Sequence, residues 1–416
     1  MSSAPSSPIT DLCAARMRSA RVFRWRSAAL AVKRESYSDG GFLTIRQPES
    51  PARRPNGMRQ RLANRRKSAR MHGTTETLAY PFAETPNPGD IVDVAPGVRW
   101  LRLALPFQLN HVNIYLLEHD GGWAVIDTGI GTDETKATWE KVFTGPLAGQ
   151  KITRIVVTHS HPDHIGLAGW LTERFDCPLT MTQTEYLHGL FHQNKRTERQ
   201  IADQAEYYRR HGIPPSTITQ LLGRGSNYLT RTTSLPPSYH RVSDGGTLTL
   251  GQRTYEVMTG GGHALEQMIL LSRPDSLFFS ADQVLSKISP NVSVWSMEPE
   301  ANALGHYLAS LARLARDLPD DVLVLPGHGV PFYGVKTRIR QLADHHAERC
   351  GAIADAARCR PLTASDMVPL IFNRKLDAHT AGFATGEVIA HINYMLSRNE
   401  LTRETATDGV MRFRAV

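Results

Sequence analysis

Cysteines and long apolar runs are scarce in this 416-residue sequence. Its four cysteines form no CxxC pair, which argues against a cysteine-built metal site and against a disulfide-rich secreted fold. We therefore expect a reducing, cytoplasmic compartment. No stretch approaches about 18 consecutive apolar residues, so we expect no membrane-spanning helix and no membrane partner. The content of 41% hydrophobic and 21% charged residues is typical of a globular protein and excludes wholesale disorder.

Acidic residues are scarce at the N-terminus, and the net charge of +8 is unevenly distributed for that reason. Residues 1–70 contain 16 Lys or Arg and four Asp or Glu, whereas the rest of the chain contains 32 basic and 36 acidic residues. A nucleic-acid-binding arm, an organelle transit peptide and a disordered extension all fit this composition. Because the segment lacks a sustained apolar period, we predict a basic, disordered extension over residues 1–75.

Short runs rich in β-branched and aromatic residues alternate with helical patterns in the middle of the chain. This alternation predicts an α/β layered domain over residues 90–332. Residues 184–240 interrupt it with a polar, mostly helical insertion, which at this length usually forms a lid or a pocket wall. The remaining sequence contains three helical patterns and a hairpin that turns at Asp408 and Gly409. We predict a small winged-helix-like domain over residues 333–416.

The string THSHPDHIG follows a buried-strand pattern and contains His159, His161, Asp163 and His164. Imidazole and carboxylate groups are the ligands that suit Zn²⁺ and similar divalent ions. If the strand's alternation continues, the first two histidines point the same way and hold one ion. The two residues after the Pro162 turn can then face a second ion. Three later strand ends each supply one more candidate ligand: His263, Asp282 and His328.

With these motifs the chain resembles the metallo-β-lactamase fold superfamily of binuclear hydrolases over residues 90–332. The resemblance implies a four-layer αββα sandwich and two divalent metal ions, with Zn²⁺ as the first choice and Fe or Mn as alternatives. Asp127 matches an acidic residue of the superfamily that holds a loop near the metals without binding them. The implied ligands are His159, His161 and His263 for one ion, Asp163, His164 and His328 for the other, and Asp282 as the bridging carboxylate.

The implied reaction is metal-assisted hydrolysis, in which a hydroxide that bridges the two ions attacks an ester, thioester or lactone bond. Asp163 is the predicted catalytic residue, because its carboxylate can orient the hydroxide and pass a proton to the leaving group. The chain resembles bacterial glyoxalase II-like, β-lactamase-like hydrolases that carry a C-terminal winged-helix domain. The segment SADQV departs from the HEYT-like segment of hydroxyacylglutathione hydrolases, which argues against a glutathione thioester. Asp282 stands where true β-lactamases generally have Cys or His, which argues against antibiotic hydrolysis.

Two classes of substrate remain open. The insertion carries apolar and aromatic residues that we expect to form a pocket wall for a small ester or thioester. These residues are Phe191, Tyr207, Tyr208, Leu221 and Leu222. The alternative is a metallo-endoribonuclease whose basic arm and winged helix bind nucleic acid. The net negative charge of residues 71–416 argues against that alternative.

Histidines outside the motifs are predicted to be structural. His346 lies on an apolar helix stripe with Val335, Ile339 and Leu342, so we expect it to be buried. His306, His345 and His391 carry no such signal and are expected at the surface.

Overall fold

The computed structural model describes residues 77–223, 228–372 and 378–416. These residues all belong to one compact unit, Asn56–Val416, and the other unit, Met1–Pro55, lies outside them. The basic extension predicted for residues 1–75 therefore also lies outside the described residues.

Seven strands form the first sheet, and their order in space follows their order in the chain. The first four pair antiparallel, and the last four pair parallel across longer connections that contain helices. The strands are β1 (Ile91–Ala95), β2 (Val98–Ala104), β3 (His111–His119), β4 (Gly122–Ile126), β5 (Ile152–Val156), β6 (Leu179–Thr182) and β7 (His240–Val242).

Five strands form the second sheet, in the spatial order β12-β11-β10-β9-β8. Neighbours from β8 to β11 are antiparallel, and β12 pairs parallel with β11. The strands are β8 (Thr247–Leu250), β9 (Arg253–Gly260), β10 (Gln267–Ser272), β11 (Leu277–Ala281) and β12 (Leu323–Pro326).

The two sheets pack face to face, and side chains of both fill the space between them. Tyr115 and Ile126 from the first sheet meet Val257, Leu270 and Leu325 from the second in this central core. Burial on both faces of a sheet requires apolar residues at consecutive positions. In β10, for example, Met268 and Leu270 join the central core, and the intervening Ile269 lies on the opposite face.

Helices cover both outer faces. α1 (Asp133–Thr144) and α3 (Ala168–Phe175), the latter preceded by the short α2 (Pro162–Ile165), pack on the first sheet through residues such as Trp139 and Leu171. α7 (Ala303–Asp317) and α8 (Val335–Cys359) cover the second sheet. The predicted four-layer αββα metallo-β-lactamase sandwich is thus confirmed.

The insertion after β6 forms α4 (Gln183–His192), α5 (Glu198–Arg210) and α6 (Pro215–Gly223). Its predicted role as an aromatic pocket wall is wrong for four of the five residues. Phe191 is exposed, but the other four pack into the hydrophobic core beside the second sheet, because α5 packs against α6 and α6 packs against the C-terminal helix at 378–397. Those four are Tyr207, Tyr208, Leu221 and Leu222.

The end of the chain contains α8, two further helices and an antiparallel hairpin, as the sequence predicts. The elements after α8 are α9 (Ala364–Ile371), α10 (Ala378–Ser397), β13 (Leu401–Thr405) and β14 (Met411–Ala415). Their order is compatible with the predicted winged helix, which stays a prediction.

The prediction for His346 is confirmed, since it is fully buried. His306 is exposed as expected, and His345 is partly buried. The prediction for His391 is wrong, because α10 packs against α8 and buries its imidazole beside that of His346.

No helix within the described ranges combines the length and the apolar character needed to cross a membrane.

Candidate metal centre

The predicted ligands lie in loops that follow strands of both sheets. The THSHPDHIG segment comes after β5, His263 lies between β9 and β10, Asp282 directly follows β11, and His328 follows β12. Because the two sheets are stacked, these strand ends meet at one edge of the sandwich. Loops held by rigid strands are the usual place for reactive side chains.

The structure brings all seven predicted ligand residues together. Their ligand atoms form three groups, and within each group the atoms lie within 4.8 Å of one another. The groups are His159, His161 and His263; Asp163, His164 and His328; and His159, His164 and Asp282.

The expectation that strand alternation aligns His159 and His161 is wrong. β5 ends at Val156, before either histidine, so strand alternation does not align them. The loop and the turn at Pro162 do so instead, and they leave His159 Nε2 and His161 Nδ1 3.0 Å apart.

Asp282 lies between the two predicted ligand sets. Its Oδ2 is 3.4 Å from Nε2 of His263, 3.6 Å from Nε2 of His164 and 3.2 Å from Nε2 of His328. Asp163 lies on one side only, with its Oδ2 3.4 Å from Nε2 of His328. The Asp282 carboxylate lies close to histidines of both sets and is therefore suited to contact two ions.

The ring nitrogen that faces away from the centre has a partner in four of the histidines. In each case the partner orients the ring so that the other nitrogen faces the centre, where it can act as a ligand. The contacts are His164 Nδ1 to Asp127 Oδ2 at 2.8 Å, His263 Nδ1 to the Asn291 carbonyl at 2.8 Å, His328 Nδ1 to the His111 carbonyl at 2.7 Å, and His159 Nδ1 to Thr158 Oγ1 at 3.0 Å. Asp127 also accepts hydrogen bonds from the backbone N–H and hydroxyl of Thr158, so it holds the loop as expected.

The backbone is strained where it enters the centre. Asp127 has φ 63° and Ala281, just before Asp282, has φ 44°, both in the left-handed region that costs free energy for residues other than glycine. Gly327 is required by space, because a Cβ there would lie 2.3 Å from Asp282 Oδ1. Such strain is typical of functional sites, where the surrounding fold holds it in place.

Charges in the centre divide the histidines into two kinds. Burial and the neighbouring imidazoles of His164 and His263 lower the pKa values of His159 and His161 well below the usual range. Burial also disfavours the charged form of His164, but the carboxylates of Asp282, Asp163 and Asp127 outweigh it and raise its pKa well above that range. Burial favours a higher pKa for Asp282, but the neighbouring His328 and His164 outweigh it and lower this pKa well below its usual range. Asp282 is therefore ionised, which is the state in which a carboxylate binds a cation.

Three buried atoms of the centre have no hydrogen-bond partner among the described residues. They are His164 Nε2, His263 Nε2 and Asp282 Oδ1. An unpaired buried polar atom costs about 1–3 kcal/mol, so this arrangement calls for a ligand. Imidazole nitrogen and carboxylate oxygen are donors for divalent metal ions. The residues present therefore fit a divalent cation.

Several supporting residues were missed by the sequence analysis. Both oxygens of the buried Glu185 accept hydrogen bonds from loops of the centre, one from the backbone N–H of Ser160 and one from that of Glu266, each at 2.8 Å. Asn291 and His111 contribute through backbone carbonyls. A carbonyl is common to every residue and leaves no signal in the sequence.

Comparison with known proteins agrees with this geometry. The family profile of the Metallo-beta-lactamase superfamily matches residues 108–328, and that of the Metallo-beta-lactamase-like C-terminal domain matches residues 350–416. Among curated proteins, the probable metallo-hydrolase YqjP of Bacillus subtilis is 23% identical over 315 residues, which cover 73% of this chain and 93% of YqjP.

Two solved structures are similar over most of the chain. A β-lactamase domain protein from Burkholderia ambifaria is 42% identical, with a TM-score of 0.76, and the match covers 82% of this chain and 98% of that one. A metallo-β-lactamase family protein from Thermus thermophilus is 27% identical, with a TM-score of 0.66, and the match covers 78% of this chain and all of that one.

Proposed function

The chain belongs to the metallo-β-lactamase superfamily and is a metal-dependent hydrolase, and from its centre we propose that it holds two divalent ions and cleaves an ester or thioester bond. The observation that carries this proposal is the convergence of seven ligand residues with three unpaired buried atoms. Zn²⁺ is the first choice for this donor set, and Fe or Mn are alternatives.

Seven ligand residues exceed the four that one tetrahedral ion needs. His159, His161 and His263 would hold one ion, and Asp163, His164 and His328 the other. The position of Asp282 between the two sets supports a bridging role. When bound, two ions lower the pKa of a shared water and polarise the scissile carbonyl.

Asp163 is the side chain that we propose for proton transfer. Its side chain is 20% exposed, whereas that of Asp282 is 7% exposed, so water reaches Asp163 more readily. Its Oδ2 can therefore orient a water molecule and pass a proton to the leaving group.

Exposed apolar side chains near His263 support a substrate with an apolar part. Leu265 is two residues from this histidine along the chain and is exposed. Trp295, four residues beyond Asn291, is exposed and meets the exposed Phe383 with ring centroids 5.8 Å apart. Apolar walls with a few polar anchors are typical of small-molecule sites. We propose these residues, in place of the insertion, as the apolar wall of the site.

The test compares two substrate classes on the same preparations. We expect the wild-type protein to retain close to two equivalents of metal and to hydrolyse an aryl or acyl-CoA thioester. His161→Ala should lose turnover, and His240→Ala, which changes an exposed histidine at a sheet edge, should not.

Two results would count against the proposal. Wild-type protein purified without chelators and free of metal would overturn the metal centre. Metal-dependent cleavage of single-stranded RNA that is lost in His161→Ala and is at least as efficient as thioester turnover would overturn the substrate class in favour of an endoribonuclease.

A further inference from the structure

The loop that follows Asp282 joins the metal centre to the C-terminal domain. Within it, the carbonyl of Asn291 accepts a hydrogen bond from Nδ1–H of His263 at 2.8 Å. The side-chain amide of the same asparagine donates to Oε2 of Glu387, in α10, at 3.2 Å. One residue thus contacts a candidate metal ligand with its backbone and the C-terminal domain with its side chain.

Glu387 is held from the other side by Arg349 of α8. The guanidinium of Arg349 donates to Oε1 of Glu387, and the side chains are 15% and 6% exposed, respectively. Burial raises the pKa of Glu387, and Arg349 and Asn291 oppose that shift. Hydrogen bonds to charged groups at buried positions are stronger and more directional than neutral ones, so Glu387 is a rigid anchor for the amide.

Further contacts fix the rest of this loop on α10. Ser293 Oγ lies 2.6 Å from Asn291 Oδ1, and the backbone N–H of Val294 donates to the Gly386 carbonyl at 3.0 Å. A Cβ on Gly386 would lie 2.9 Å from the Ser293 side chain, so only glycine permits this approach. The carbonyl that orients His263 therefore cannot move independently of α10.

We propose that Glu387 is a positioning residue of the metal centre, which acts through Asn291 to fix the ring of His263. This inference rests on the proposed metal site. His263 belongs to the set with His159 and His161 and not to the set around His328. The C-terminal domain therefore controls the affinity of one ion and not of the other.

The alternative is that the Arg349–Glu387 pair only joins two helices. Val388→Ala provides a matched control, because Val388 is the next residue of α10, is fully buried in the same hydrophobic core and makes no contact with Asn291 by hydrogen bond. The full-length metal-free proteins are titrated with Zn²⁺ against a chromophoric chelator, and thermal unfolding of the same metal-free samples is recorded.

Glu387→Ala should raise one of the two Zn²⁺ dissociation constants by about 10- to 100-fold, which is the range for residues that orient a ligand. The other dissociation constant should stay within about threefold of the wild-type value. Glu387→Gln keeps an oxygen for the Asn291 amide and should restore most of that affinity. Val388→Ala should lower the unfolding temperature and leave both constants unchanged.

Asn291→Ala tests the same link in a second variant. It keeps the backbone carbonyl of residue 291, and it leaves the buried Arg349–Glu387 ion pair in place. The effects of Asn291→Ala and Glu387→Ala should not add in the double variant, because both substitutions remove the same hydrogen bond. Unchanged Zn²⁺ dissociation constants in Glu387→Ala and Asn291→Ala, or an equal rise in both constants, would overturn this inference and leave the proposed function in place. A wild-type protein that binds no Zn²⁺ would instead overturn the proposed function.

Discussion

Two groups of buried histidines occur in this protein, and they differ in what surrounds them. In the metal centre, the carboxylates of Asp282 and Asp163 raise the pKa values of His164 and His328 against the effect of burial, whereas burial is the main cause of the low pKa values of His159 and His161. The pair His346 and His391 has no carboxylate partner within the described ranges, and burial lowers the two pKa values to about 2 and about 4.

Hydrogen bonding explains why the second pair is not a metal site. His391 Nδ1–H donates to the Glu387 carbonyl at 2.7 Å, so its Nε2 accepts from His346 Nδ1–H at 3.2 Å. The ring of Tyr307 packs edge-on against that of His346, 5.5 Å away. One nitrogen, His346 Nε2, is left without a partner among the described residues. One unpaired nitrogen offers an ion a single ligand atom, fewer than the three or four protein ligands of a zinc site, whereas the metal centre offers several imidazole nitrogens around two carboxylates.

Removal of Asp282 should have the largest effect, because this carboxylate distinguishes the metal centre from the neutral pair His346 and His391. We expect Asp282→Ala to retain less than one equivalent of metal and to lose at least about a thousandfold in turnover, which corresponds to about 4 kcal/mol. Metal content by mass spectrometry and thioester hydrolysis measure the two effects.

Asp320→Ala is the control for that experiment, since Asp320 is an exposed acid whose contact is an ion pair with Lys336. Retention of two equivalents of metal by Asp282→Ala would show that the carboxylate is not a ligand. The contrast between the two histidine groups would then need another cause.

The candidate ligands could be predicted from the sequence because each belongs to a local pattern. Strands end at apolar runs that are visible in the sequence, and the loops that follow contain the histidines and acids. The order of strands and helices was predictable for the same reason. A capping box begins α9: the Thr363 hydroxyl accepts from the backbone N–H of Asp366, and the Asp366 carboxylate accepts from that of Thr363.

Burial of His391 and of Tyr207 could not be predicted, because both depend on which helices meet across the fold. The carbonyls of Asn291 and His111 were equally invisible, since their role follows from loop position and not from residue type. In the sequence, nothing distinguishes Glu387 from any other acidic residue in a helix. Only the packing of α10 against the loop after Asp282 gives it a role.

The neutral pair should make the protein less stable in acid. The unfolded pKa of histidine is about 6.5, and that of His391 in the fold is about 4, so the unfolded state binds more protons between these values. The free energy of unfolding therefore falls as the pH is lowered from about 6.5 to about 4, by up to about 3 kcal/mol for this residue. Denaturant titrations of metal-free protein across this range measure the slope.

His391→Leu removes the titrating group and isolates its contribution from that of other buried histidines. The variant should lose less stability than the wild type between pH 6.5 and pH 4, whatever its stability at neutral pH. Identical slopes for the two proteins would contradict a neutral buried imidazole at this position.

The smallest effect concerns the carboxylate behind a ligand. Asp127 accepts from His164 Nδ1 at 2.8 Å, a charged partner where His263 and His328 have neutral carbonyls. Asp127→Asn keeps the shape and tolerates the left-handed backbone at φ 63°, but it removes the charge that raises the basicity of His164. We expect metal affinity to fall about tenfold at one of the two ions, with little change in unfolding temperature, in a chelator titration. Asp176→Asn makes the same substitution at φ 47° on the surface and should change neither ion. A tenfold loss in both variants would trace the effect to backbone strain, and no loss in Asp127→Asn would show that a neutral acceptor orients His164 equally well.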